Sequence, residues 1–374
     1  MRIARRGASL AAGLALGAAL AFTALGPPAT AAGGSSAPIL YLAQPPNRFA
    51  FARLPAQIPT PSQCVAEYGL DCYTPAEIRT AYDVPSRLDG AGQTIVIVDA
   101  FGSPTIAQDL AAFDQAFGLP PAHLTVLYPE GKPTWQPKAL DIGWAEETSL
   151  DVEWAHAIAP GAAIDLVVAP TPYGDAIDNA IADAVENHLG NVLSMSFGAP
   201  EAAIAGQGNN LQLRQADAIF RQAAAQGMSL FASAGDSGAT NGYPQPNALF
   251  PASDPEVTAV GGTDLFLSDS GTYRGETVWN DSVPSLCPYG CDYGPFGATG
   301  GAPSAVFPAP AYQVGDGSGM AARTTADVAY NASVYTGILV YLSFPGVPSG
   351  FYFFGGTSEE NASLVVDHGV GGWA

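Results

Sequence analysis

From residue 93 onward the chain switches repeatedly between two hydrophobic periods. Residues 93–100 form a continuous apolar run of strand character, and residues 106–117 follow with apolar positions at helical spacing. The alternation then repeats: 124–127 reads as strand, 147–158 as helix, 163–168 as strand, 176–187 as helix, 191–196 as strand, 211–226 as helix and 229–234 as a further buried strand. Apolar strands alternating with amphipathic helices predict an α/β fold, a mostly parallel sheet flanked by helices on both faces. Ligands of such sheets bind outside the carboxyl ends of the strands. Upstream, Thr74-Pro75-Ala76-Glu77 is a helix start, with Thr74 as N-cap, Pro75 in the first turn and Glu77 three residues after the cap. Beyond residue 262 the pattern gives way to Gly-, Pro- and Ser-rich segments with short strands, and no internal repeat is visible.

The start of the chain follows different rules. Arg2, Arg5 and Arg6, an apolar run from Ala8 to Leu25 and the small-residue site Ala29-Thr30-Ala31 mark residues 1–32 as a secretory signal peptide. Gly26-Pro27-Pro28 favours cleavage over a membrane anchor, so a secreted, extracellular protein with no membrane partner is expected. Residues 33–63 are rich in Pro, Ala and Ser and read as an extended arm, leaving residues 64–374 for the folded domain. Export permits disulfides, and two local pairs are expected, Cys64 with Cys72 and Cys287 with Cys291. Neither spacing is that of a zinc site.

Composition narrows the partners. Of 374 residues, 48% are hydrophobic and only 13% charged, which supports a large ordered core. The formal charge is −21, and without the leader ten basic residues face 34 acidic ones, so nucleic acid is excluded as a partner. Few cations would remain to repel one another once carboxylates neutralise, which suits an acidic milieu. A monomer is expected.

The chemistry concentrates in a few segments. Glu147 and Asp151 stand four apart in a helical stretch, so they share one face with Cβ atoms about 5–6 Å apart and shift each other's proton affinity. Ser358 follows Gly355-Gly356-Thr357 at a sharp turn before a possible helix, a setting that exposes a hydroxyl. A serine is a poor nucleophile until a base takes its proton and a donor stabilises the oxyanion. Glu147 could be that base, Asp151 its orienting partner, and Asp236, in Ala234-Gly235-Asp236-Ser237-Gly238 after a buried strand, a protonated oxyanion donor. Asp99 and Ser196 also fall at strand ends and converge on the same crevice. Each residue has a plainer reading: the acidic pair as a solvated first helix turn, Asp236 as a turn cap, Asp99 as a loop anchor. His156 is about 140° around the helix from Asp151, so a packing role is expected. No histidine has a nucleophile-activating setting, which disfavours Ser237. A glycosidase using Glu147 and Asp151 would want its carboxyl groups further apart.

In order along the chain, Glu147-x-x-x-Asp151 with Ala157-Ile158-Ala159-Pro160-Gly161, Leu193-Ser194-Met195-Ser196-Phe197-Gly198, Ala232-Ser233-Ala234-Gly235-Asp236-Ser237-Gly238, Phe250-Pro251-Ala252-Ser253 with Val260-Gly261-Gly262-Thr263, and Gly355-Gly356-Thr357-Ser358 resemble the sedolisin family of serine-carboxyl peptidases, from about residue 74 to 358. The resemblance implies a subtilisin-like fold and hydrolysis of peptides at acid pH. It makes Ser358 the nucleophile, Glu147 the general base, Asp151 its orienting residue and Asp236 the oxyanion donor. An endopeptidase is expected, with a tripeptidyl exopeptidase as the nearest variant and a catalytically impaired scaffold as the alternative. Peptide or unfolded protein is the expected partner. Three departures stand out. Phe197 replaces the family's Trp, the stretch before the entry helix is too short for the family's folded prodomain, and Ser358-Glu359-Glu360 replaces small residues and a Pro. Only 16 residues follow Ser358, so a C-terminally truncated domain is expected. Calcium is expected from the resemblance, but its C-terminal segment is missing, so no metal ligand or cofactor is identifiable.

Overall fold

The structure, a computed structural model, describes residues 39–43, 58–206, 210–268, 270–281, 297–315 and 319–359. Its strands are β1 (Leu42–Ala43), β2 (Thr94–Ala100), β3 (His123–Leu127), β4 (Ala163–Ala169), β5 (Val192–Met195), β6 (Phe197–Pro200), β7 (Ser229–Ser233), β8 (Leu249–Phe250), β9 (Thr258–Leu267), β10 (Tyr273–Val278), β11 (Pro303–Pro308), β12 (Ala322–Thr324), β13 (Val328–Asn331), β14 (Ile338–Leu342) and β15 (Gly350–Phe354). The helices are α1 (Pro61–Tyr68), α2 (Pro75–Ala81), α3 (Ile106–Phe117), α4 (Ala139–Ile158), α5 (Gly174–Glu186), α6 (Glu201–Gly206) and α7 (Asn210–Ala225).

Eight of the described strands form one sheet, in the order β10-β9-β7-β5-β2-β4-β3, with β13 also paired to β9. Every pairing in it is parallel except β9 with β10. The α/β architecture read from the hydrophobic pattern is therefore the one adopted. Chain order reverses around β2, which has β4 on one side and β5 on the other. A crevice opens at the carboxyl ends of strands flanking such a switch. One apolar face packs on α3, α4 and the β14–β15 hairpin through Ile97, Leu110, Trp154, Leu166, Val340 and Phe354. The opposite face packs on α5 and α7 through Val96, Ile177, Ile181, Leu213 and Phe220.

Local signals explain the helix ends. Thr74 accepts from the Glu77 backbone at 3.3 Å and Glu77 reaches back to the Thr74 N–H at 2.9 Å, completing the capping box. The strongest departure from expectation is α4, which begins at Ala139 rather than near Glu147. Its N-cap, Lys138, makes no side-chain cap bond, and Gly143 interrupts the first turns, so nothing in the pattern announces the start. The fold also begins ahead of Cys64: α1 starts at Pro61, and residues 39–43, inside the stretch read as an arm, carry buried Ile39, Tyr41 and Ala43. Cys64 and Cys72 are disulfide-bonded, as their spacing suggests. Cys287 and Cys291, residues 1–32 that read as a signal peptide, and residues 360–374 lie outside the described residues. Among the described residues no helix is long and apolar enough to cross a membrane.

Candidate active site

The site is built on α4 and on the ends of β2, β5 and β7. Because α4 is wedged between the sheet and the β14–β15 hairpin, every residue from Trp144 to Ile158 is buried. Trp154 Nε1 donates to Leu339 O at 3.0 Å, and the Tyr341 N–H donates to Glu153 at 2.9 Å, which pins the helix against the hairpin. Glu147 and Asp151 therefore sit mid-helix and fully enclosed, not in a solvated first turn. Their own backbone groups are spent on the helix, so little but other side chains can stabilise a charge there.

Burial is the largest cause of a pKa raised well above the ordinary carboxylate range at both Glu147 and Asp151. The Asp151 charge raises Glu147 further, and the Asp99 charge raises Asp151. Asp99, buried at the end of β2, is itself pushed up to about 7 by desolvation. It belongs to this carboxylate cluster rather than to a loop. Three enclosed carboxyls cannot all ionise, so in acid they share little negative charge. Two hydroxyls compete for it. Ser196, just past β5, donates to Asp151 Oδ1 at 2.7 Å. Ser358 Oγ lies near enough to lower the proton affinity of Glu147, although neither makes a hydrogen bond of good geometry among the described residues. Such bonds often tighten only when substrate is bound.

Asp236 follows β7 and faces the turn that carries the serine. Thr357 donates to Asp236 Oδ1 twice, from its backbone N–H at 2.9 Å and its hydroxyl at 2.8 Å. With Oδ1 occupied as acceptor, a proton on this carboxyl belongs on Oδ2. Gly356, at φ 122°, brings its backbone so close that a Cβ there would stand 2.6 Å from Oδ2. Only glycine permits that approach. Burial pushes Asp236 up to about 6, against the two Thr357 bonds that lower it. Asp236 also adds to the field raising Glu147, which places both acids and Ser358 in one electrostatic unit. Ser358 itself is fully buried.

No family model matches the chain. Individual relatives do. Kumamolisin from Bacillus sp. (strain MN-32) is 36% identical over 284 residues, 72% of this chain and 48% of that protein. Sedolisin from Pseudomonas sp. (strain 101) is 30% identical over 281 residues, 72% of this chain and 46% of that protein. The solved structure of Pseudomonas sedolisin, a serine-carboxyl proteinase in complex with two molecules of pseudo-iodotyrostatin, matches with a TM-score of 0.67 at 28% identity over 79% of each chain. The chain belongs to the sedolisin family. Its sheet and helices take the subtilisin-like arrangement of that structure. This sedolisin relative spans about half the length of the curated proteins that it matches.

The sedolisin motifs account for four of the residues brought together here, and tertiary structure supplies the others. Ser196 was expected at this crevice from its place at the end of a strand, and Thr357 was visible only as the residue before Ser358; the hydrogen bonds of both depend on α4 and on the turn after β7. Glu359, which departs from the family's small residue, is buried and accepts from Asn331 Nδ2 at 2.9 Å. His156 points away from the cluster, Nε2 lying 2.8 Å from Pro120 O and 3.3 Å from Asp114, which is the packing role expected of it. Among the described residues no group of three or more His, Cys, Asp or Glu side chains is placed to hold a metal ion.

The acids make stability depend on pH with a definite sign. Asp99, Asp178, Asp254 and Asp264 are raised to about 7, and Asp236 and Asp281 to about 6, burial being the largest cause in each. The folded state thus binds these protons more tightly than the unfolded state, for which carboxyl values are about 4. Their stabilisation is complete below about pH 4 and is lost as pH rises through 6 to 7. Thermal denaturation should give a Tm that falls from pH 4 to pH 8. A Tm that rises over that range contradicts the burial of these acids in neutral form.

Proposed function

We propose that this protein is an exported serine-carboxyl endopeptidase that hydrolyses peptide bonds of peptides or unfolded proteins at acid pH. Ser358 is the nucleophile, Glu147 the general base, Asp151 the residue that orients and tunes Glu147, and Asp236 the oxyanion donor. In the first half-reaction Ser358 Oγ attacks the scissile carbonyl and its proton passes to Glu147, while Asp236 Oδ2–H donates to the oxyanion. Collapse returns the proton from Glu147 to the leaving amine and leaves an acyl group on Ser358. Water then repeats the sequence with Glu147 as base and releases the acid. The observation that carries this reading is the pair of hydrogen bonds from Thr357 to Asp236 Oδ1, which ties the proton-bearing acid to the turn holding the nucleophile.

A tripeptidyl exopeptidase is the second reading, favoured by tripeptidyl-peptidase 1 of Rattus norvegicus, 30% identical over 290 residues, 71% of this chain and 44% of that protein. The test is hydrolysis by the full chain across pH 3 to 7, using an unfolded protein and matched peptides with free and acetylated N-termini. Cleavage confined to acid pH and indifferent to acetylation supports the endopeptidase. Cleavage that needs a free terminus supports the exopeptidase, and a maximum above neutrality contradicts both.

A further inference from the structure

The residue that follows Ser358 is an acid, and it is enclosed. Ser358 stands in the turn from Gly356 to Glu359, which the Glu359 N–H closes by donating to Gly356 O at 3.1 Å. The other three residues of the turn are each tied to a separate part of the fold. Gly356 donates from its backbone to Ala332 O at 2.6 Å, and Thr357 donates twice to Asp236 beyond β7. Glu359 accepts from Asn331 Nδ2 at 2.9 Å. Asn331 ends β13 and Ala332 comes next, so one strand end anchors the turn on both sides of Ser358, by backbone before it and by side chain after it.

The anchor is itself fixed. Asn331 Oδ1 accepts from the Leu265 N–H at 3.1 Å and from the Thr336 hydroxyl at 2.8 Å, while Nδ2 donates to Thr336 O at 2.7 Å as well as to Glu359. A flipped amide would set Nδ2 against a backbone N–H and leave Thr336 O without its donor, so this network assigns Nδ2 to Glu359. The strand is held in the main sheet, with Asn331 opposite Thr263 of β9. On the other side of the contact, the Glu359 side chain is buried and its Oε2 makes no hydrogen bond among the described residues. Burial raises its pKa well above the ordinary carboxylate range, against the Asn331 bond that lowers it. An enclosed carboxylate with a single donor is costly, so the group stands as a neutral acid whose Oε1 accepts. An amide of the same shape can do that equally well.

We infer that Glu359 is a positioning residue for peptide hydrolysis: through Asn331 it fixes the turn that carries Ser358 and so holds the serine hydroxyl against Glu147. This inference rests on the peptidase reading above. The Ser358 hydroxyl makes no hydrogen bond of good geometry among the described residues, so its place is set by its neighbours in the turn. Displacing a reacting atom by about 1 Å costs on the order of 10²-fold in rate.

Two variants of the full chain separate the hydrogen bond from the volume of the side chain. Glu359→Gln keeps both the size and the acceptor, whereas Glu359→Met keeps much of the size and loses the acceptor. Both are compared with wild type below their melting transitions, at pH 4, with a quenched fluorescent peptide. Glu359→Met should lower kcat on the order of tenfold or more with KM within about twofold, and Glu359→Gln should keep kcat within about threefold of wild type. Hydrogen exchange over residues 356–359, read by mass spectrometry, should show protection lost in Glu359→Met and kept in Glu359→Gln. Equal kcat and equal exchange in the two variants overturn the inference, as does a loss in Glu359→Met that lies in KM alone. A Glu359→Gln that loses kcat also overturns it, whether or not Glu359→Met folds. Exchange needs no turnover, which keeps the two readings apart. Wild-type protein that never hydrolyses peptide contradicts the peptidase reading, while the exchange contrast still supports the tether; hydrolysis with no exchange contrast between the variants does the reverse.

Discussion

Ser358→Ala should abolish peptide hydrolysis, lowering kcat/KM by on the order of 10⁵-fold, and Glu147→Gln should do nearly the same. The serine is the only hydroxyl placed against the raised carboxyl of Glu147 in the site described, and that carboxyl has no imidazole beside it to share the work. Glutamine keeps the volume of the side chain inside α4 and removes the atom that accepts a proton. Because the two groups act in one proton transfer, the double variant should be little worse than either single one. Ser237→Ala should leave activity intact. Steady-state kinetics at pH 4 with a quenched fluorescent peptide settles all four variants, and retained activity in Ser358→Ala removes the nucleophile assignment.

Asp236→Ala should cost about 10²- to 10³-fold in kcat, the usual scale for one oxyanion donor. The companion variant Asp236→Asn is more telling. Asp236 can donate only while protonated, and its pKa is raised to about 6, so wild-type activity should decline as pH rises through about 6. In Asp236→Asn the side-chain oxygen can still accept both Thr357 bonds, which directs the amide to the oxyanion at any pH. The variant should keep more activity than Asp236→Ala, and its decline should move to higher pH. A pH–rate profile unchanged by Asp236→Asn would show that another group sets the alkaline limit.

What could be read in advance depended on whether its physical cause was local. Apart from β6, α6 and the start of α4, the elements from β2 to β7 were legible to within two residues because each apolar run ends in turn residues. So was the α2 capping box. The chemistry at Glu147, Asp151, Asp236 and Ser358 stood out because five motifs occur in order. The start of α4 was hidden, since Lys138 gives no cap bond and the helix is held by packing around its whole circumference. Consequently the full enclosure of Glu147 and Asp151 was not visible, and a solvated face remained a fair reading of the same residues. Ser196 and Thr357 gained their roles only from contacts across 45 and 121 positions of sequence. Residues 39–43 were the hardest to see. Their partners lie far away at residues 172–174 and in β6, and a five-residue extended segment in a Pro- and Ala-rich stretch has no period of its own.

The central claim is that a serine hydroxyl is activated by carboxylic acids alone. The most direct measurement is to trap the protein at pH 4 with a peptide aldehyde, which adds reversibly to a nucleophilic hydroxyl, fix the adduct by reduction, and locate it by peptide mapping. The account predicts one adduct, on Ser358, that is lost in Glu147→Gln. An adduct on Ser237, or one on Ser358 that forms equally well in Glu147→Gln, would contradict it.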